Sequence, residues 1–156
     1  MIPSQPLQPT NLAAHPEGGR FKEAYRSSAE IEATDGRKRV ALTHIYFQLE
    51  AGEVSKFHKV DSDEVWNLYQ GEGIRLHIWD GSENMPETVT LSAATNTFCH
   101  VIPAGFWQAA EPLGNSVLVG CSVAPGFEFE DFEIINPDSV SARCLLSMVG
   151  HWNMFV

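Results

Sequence analysis

Apolar and polar residues alternate with period two over short stretches, and glycine, proline and acidic turn residues interrupt them at intervals of five to ten residues or so. In Ile74–Trp79, for instance, Ile74, Leu76 and Ile78 share one face while Arg75, His77 and Trp79 share the other. This pattern predicts strands at about Arg20–Arg26, Val40–Leu49, Val54–Val60, Glu64–Tyr69, Ile74–Trp79, Thr88–Leu91, Thr97–Ile102, Trp107–Glu111, Val117–Ala124 and Asp131–Ile135. Turns are expected at Thr34-Asp35-Gly36, Glu50-Ala51-Gly52, Gly71-Glu72-Gly73, Asp80-Gly81-Ser82 and Pro112-Leu113-Gly114-Asn115. Two segments read as helical. A short one spans Gln5–Ala14, and a second runs from about Asp138 to Met148, with Asn136-Pro137 as start and Gly150 as stop. So many short strands with such punctuation indicate a sandwich or barrel.

Composition narrows the function classes. A chain of 156 residues suits one domain, and 44% hydrophobic residues suit a packed core. The formal charge of −10 argues against nucleic acid and anionic membranes as partners, since both need clustered lysine and arginine. Met1–Gln8 has no basic residue and no apolar segment, so no secretory signal is expected. The longest apolar stretch, around Ser116–Val123, has the length of a strand and not of a membrane span. Cys99, Cys121 and Cys144 form no C-x-x-C pair and read as reduced thiols, which points to the cytoplasm.

Most chemistry-bearing residues fall between Gly52 and Gly71. A strand ending near Val60, a polar turn at Asp61-Ser62-Asp63 and a strand beginning at Glu64 make a hairpin. Period two then groups Lys56, His58 and Val60 on one strand and Glu64, Trp66 and Leu68 on its partner. His58 and Glu64 would face one interior beside an indole, as a metal half-site, an acid–base pair or a structural hydrogen bond.

This segment resembles the first motif of the cupin superfamily, in which Gly, His-x-His, Glu and Gly recur at fixed spacing. Gly52, His58, Glu64 and Gly71 match it, with Val60 where the second His belongs. Pro103-Ala-Gly105-Phe-Trp107-Gln108 is similar to the second motif, with Gln108 in place of its His. His15-Pro-Glu17-Gly-Gly19, Tyr25-Arg26-Ser27, Asp63-Glu64-Val65-Trp66 and Val123-Ala-Pro-Gly-Phe127 resemble hallmarks of a subgroup of small single-domain cupins. The likeness covers roughly residues 10–135, leaving 136–156 as a tail. It implies one domain with a mainly β fold, a double-stranded β-helix or jelly roll, usually homodimeric and related to deoxysugar-nucleotide epimerases.

The resemblance also frames the site. Metal-binding cupins use three His and a Glu. Here His58, Glu64 and Gln108 could hold a divalent ion only weakly, so no cofactor is expected. In epimerases of this fold a His base and a Tyr acid flank a ketosugar carbon. The matching candidates are His58 as base, oriented by Glu64, with Tyr46 as acid and Lys56 stabilising an enolate or binding phosphate. Trp66, Phe106, Trp107 and Gln108 would line a pocket for a small sugar-like ligand, with Glu17 at its edge. The other reading of His15-Pro-Glu17-Gly-Gly19 is structural, its glycines permitting positive φ and Glu17 bonding loop amides. Arg26 either faces the pocket, which suits an anion, or is a solvated surface charge. Three functions follow as expectations: an epimerase or isomerase, a non-catalytic small-molecule binding protein, or a weak metal-binding cupin.

Overall fold

The computed structural model describes residues 11–156. Among the described residues there are eleven strands: β1 (Ala13–Ala14), β2 (Arg20–Arg26), β3 (Glu30–Glu32), β4 (Lys38–Val40), β5 (Thr43–Glu50), β6 (Ser55–Lys59), β7 (Asp63–Trp79), β8 (Glu87–Leu91), β9 (Cys99–Ile102), β10 (Trp107–Ala124) and β11 (Glu133–Ile134). One helix follows, α1 (Val140–Met148). The predicted opening helix over Gln5–Ala14 lies largely outside the described residues. Its last two residues form β1, which pairs antiparallel with β2.

The fold is organised by two long antiparallel strands, β7 and β10, paired from Asp63–Ala124 to Trp79–Trp107. Sequence reading divides each into two strands joined by a turn. The structure instead shows one continuous strand in each case, bent in the middle. Gly71 and Gly73 adopt φ of +102° and +148° at the bend, where the register with β10 shifts between Leu113 and Val117. A Cβ at Gly71 would sit 2.4 Å from the Ser116 carbonyl oxygen, so only glycine lets the strands approach there.

Past the bend each long strand changes partners. β10 pairs with β6 through Gln108 and Ala110, and with β5 through Ser116–Val123. β7 pairs with β9 through Glu64–Asn67 and with β8 through Ile74–Ile78. The sheet therefore curls into two facing halves, β2-β5-β10-β7-β9 and β11-β6-β10-β7-β8, the arrangement of a jelly roll. Between them lie Phe47, Leu49, Trp66, Ile74, Leu76, Ile78, Val117, Val119 and Cys121, all buried.

The tail closes the outside of the second half. Ser139 caps α1 by accepting from the Ala142 amide at 3.1 Å, and Asp138 lies ahead of the helix rather than in it. Ala142 and Leu145 face inward, whereas Val140 is 73% exposed. With Val149, Trp152 and Phe155 they cover Phe57, Trp79, Trp107 and Ala109, forming a second core. No helix among the described residues is long and apolar enough to cross a membrane.

Candidate functional site

Between the facing halves lies a cavity of about 80 Å³, lined by His15, Glu17, Phe47, His58, Val60, Glu64, Cys121 and Phe132 among others. His58 enters from β6, Glu64 from β7 and Cys121 from β10, while His15 and Glu17 come from the loop between β1 and β2. That loop is held tightly. The Lys56 amide donates to the Glu17 carbonyl at 2.8 Å, and a Cβ on Gly18 would lie 2.1 Å from the Val54 carbonyl oxygen. The glycines after Glu17 thus let the loop press against the start of β6, which buries the Glu17 carboxyl beside His58.

Hydrogen bonds fix where the protons lie. His58 Nδ1 is 2.7 Å from the Lys56 carbonyl oxygen, which can only accept, so Nδ1 carries a proton. His58 Nε2 lies 3.0 Å from Glu17 Oε2. Burial lowers the His58 pKa to about 3, against the opposing bond to Lys56 and with a smaller contribution from nearby His15. Burial of both groups thus favours the neutral imidazole, with the proton between it and Glu17 on the carboxyl. Burial, together with the charge of Glu64, pushes Glu17 well above the ordinary carboxylate value even though Ser55 Oγ donates to its Oε1 at 3.0 Å. His15 is neutral too: its Nδ1 accepts from the Glu17 amide at 3.3 Å, and burial lowers its pKa to about 4.

Glu64 is supported differently. Trp66 Nε1 donates to Gln108 Oε1 at 2.7 Å, and Gln108 Nε2 donates to Glu64 Oε2 at 2.6 Å. Burial raises the Glu64 pKa to about 7, while the bonds from Gln108 and Cys121 pull it down. The Cys121 thiol is pushed well up by burial and by Glu64 and Glu17, so it stays protonated. A buried carboxyl that titrates near neutrality at the wall of a pocket is suited to giving and taking protons.

The cavity brings together His58, Glu64 and Glu17 of the sequence-predicted residues. Lys56 does not join them, because β6 carries a bulge: the two residues between Ser55 and His58 oppose the single residue between Ala110 and Gln108. The bulge turns Ser55 and His58 inward and leaves Lys56 exposed. Tyr46 is on the outer face of β5, opposite in parity to the inward Ile45 and Phe47, and its ring sits 6.0 Å from that of Tyr69. Trp66 and Gln108 are buried behind Glu64 rather than in the cavity lining. Phe106 packs on the central core, and Trp107 faces the tail with Lys59 Nζ 4.6 Å from its ring centroid. Arg26 does line the cavity mouth, yet it offers no free charge: its guanidinium bonds both oxygens of Glu23 (2.9 and 3.1 Å) and Glu128 Oε1 (3.2 Å).

Sequence reading left His15, Ser55 and Cys121 without a role in the site. Cys121 had a legible signal, since Val117, Val119, Cys121 and Val123 alternate inward. Ser55 had none, because the bulge that turns it inward leaves no mark in the hydrophobic pattern.

The sequence profile described as Cupin superfamily (DUF985) matches residues 5–135. The chain belongs to the cupin superfamily. Protein SO0799 from Shewanella oneidensis is a similar solved structure, 31% identical with a TM-score of 0.75, the match covering 90% of this chain and 85% of that one. A hypothetical protein from Leishmania major is 26% identical with a TM-score of 0.77, covering 92% and 90%. The uncharacterized protein YML079W of Saccharomyces cerevisiae is 28% identical over 137 residues, 77% of this chain and 68% of the yeast protein.

The cupin metal set does not fit the residues of this cupin. Val60 has no donor atom, and the Gln108 carbonyl is taken by Trp66. Among the described residues no three His, Cys, Asp or Glu side chains form a group able to hold a metal ion.

Proposed function

We propose that this cupin binds a small uncharged organic molecule in the cavity and exchanges protons with it. Glu64 acts as base and the Glu17 carboxyl, shared with His58, as acid. The reaction class is isomerisation or epimerisation beside a carbonyl, for which a sugar-like ketone is the natural substrate. One observation carries this reading: the Glu64 carboxyl, which burial raises toward neutrality, lines the same cavity as the Glu17 carboxyl, held 3.0 Å from the His58 imidazole. The base role expected of His58 passes in this reading to Glu64, and the acid role expected of Tyr46 to Glu17. An imidazole whose pKa is near 3 is a weak base, whereas Glu64 is half ionised at neutral pH. An anionic ligand is disfavoured, since the only arginine at the mouth is already paired with two glutamates.

The test uses dihydroxyacetone, an uncharged three-carbon ketose suited to a small cavity, in deuterated buffer near neutral pH. Proton NMR should show deuterium entering the carbon beside the carbonyl. Glu64→Gln should slow the exchange at least about 100-fold, the usual contribution of a general base. Ketose retained on the protein without exchange would overturn catalysis and favour the non-catalytic binding protein. Neither retention nor exchange would remove the ketose reading altogether.

A further inference from the structure

Gln108 has no access to the cavity, yet its amide spans the two facing halves of the barrel. Trp66 and Glu64 are on the same strand two residues apart and so share its inward face, and Gln108 reaches both from β10. An amide can turn either end toward a carboxyl. With its NH2 group toward Glu64 it supports the carboxylate, whereas with its carbonyl toward Glu64 it supports the protonated acid. The indole N–H decides between them, because it can donate but not accept.

We propose that Trp66 is a positioning residue for Glu64: by donating to the Gln108 carbonyl it fixes that amide with its NH2 turned to Glu64, so that Gln108 supports the carboxylate. This rests on Glu64 being the proton-exchanging group, and it assigns the indole a role beyond packing. Other groups around Glu64 do not replace it. The Cys121 thiol from β10 also bonds Glu64, Glu17 and His15 come from the loop between β1 and β2, and His58 comes from β6. Of the rim residues Glu23, Arg26 and Glu128, the one cation is paired with the two acids. Neutral Glu17, His15 and His58 bring no positive charge to hold a carboxylate, so Gln108 and Cys121 are left as its donors.

The readout is the carboxyl carbon resonance of 13C-labelled Glu64 followed from pH 4 to 10, assigned with Glu64→Gln. Gln108→Leu should raise the titration midpoint by about one pH unit, the size of a charge-assisted hydrogen bond. Trp66→Phe should raise it in the same direction, because the freed amide turns to accept from the protonated acid. Since Trp66 is buried, a second variant carries benzothienylalanine at position 66, which keeps the indole's shape and lacks only the N–H. The double variant Trp66→Phe with Gln108→Leu should match Gln108→Leu alone, the non-additivity of residues acting in series. An unmoved midpoint in the benzothienylalanine protein would overturn the proposal, and so would full additivity in the double variant. The readout needs no substrate. Shifted midpoints without ketose exchange would count against proton transfer and leave the positioning role standing.

Discussion

Glu64→Gln is expected to unfold at higher denaturant concentration than the wild type at pH 8 while losing proton exchange. The sign follows from linkage. The Glu64 pKa is raised from about 4.5 in the unfolded chain to about 7 in the folded protein. A raised carboxyl favours folding fully only below its unfolded pKa, and this contribution is lost as pH rises through the folded value. Above pH 7 the wild type carries a buried carboxylate that the variant does not, a cost on the order of 3 kcal/mol. Glutamine at position 64 still offers an oxygen to the Gln108 NH2, so the Trp66–Gln108 bond stays in place. The gap should be absent near pH 4, open between about pH 4.5 and 7, and level off by pH 8. Urea unfolding of both proteins at pH 4, 6 and 8 checks it. A variant less stable than wild type at pH 8 would mean that Glu64 is held as a carboxylate by interactions stronger than its burial. Gain of stability with loss of activity is the usual mark of a functional group kept in an unfavourable place.

Trp152→Ala is expected to cost about 4 kcal/mol, within the usual range for deleting a buried tryptophan side chain. Trp152 is 7% exposed, and its ring packs 4.4 Å from that of His77 and 5.7 Å from that of Phe57. Phe57 lies beside His58 on β6, so the tail supports the strand that carries the site. His77 is held under Trp152 and Phe155 by its own polar contacts, Nδ1 2.9 Å from Thr88 Oγ1 and Nε2 3.5 Å from Glu111 Oε1. Met154 is the internal control, because it belongs to the same segment and is 54% exposed. Met154→Ala should change stability by no more than about 0.5 kcal/mol. Urea midpoints of the two variants decide the matter. Equal midpoints would show that the second core contributes nothing to stability.

The chain reversal at Asp61-Ser62-Asp63 is legible because the strands on both sides alternate clearly, but it makes no hairpin: β6 pairs with β10 and β11 and the start of β7 with β9 and β10, so His58 and Glu64 meet across the barrel from its two halves. Inward alternation also made the core visible, as at Ile74, Leu76 and Ile78. What failed had a common physical origin in local breaks of the period. Gly71 and Gly73 read as a turn, since glycine serves turns and bends alike and only the long-range pairing with β10 decides which. The bulge in β6 misplaced Lys56 and hid Ser55 for the same reason. Gln108 was read as a weak ligand from its place in the motif. Its actual partners, Trp66 and Glu64, come from the other long strand, and only the pairing of those strands shows which end of the amide faces which. Glu17 was visible as a candidate at the pocket edge. Its burial against His58 depends on two glycines pressing the loop onto β6, which is a matter of backbone approach rather than pattern. The tail lies outside the resemblance, and the barrel's own outer face covers its Trp152 and Phe155.

The proton shared by Glu17 and His58 is expected on the carboxyl, leaving a neutral imidazole in the cavity. This placement is tested most directly by 15N NMR of the His58 ring from pH 5 to 9, assigned with His58→Gln. The expected spectrum is that of a neutral ring protonated at Nδ1 over the whole range, with Nε2 shifted as an accepting nitrogen, because burial holds the pKa near 3. An imidazolium titrating with a midpoint between pH 6 and 7, or a ring protonated at Nε2 instead, would contradict it.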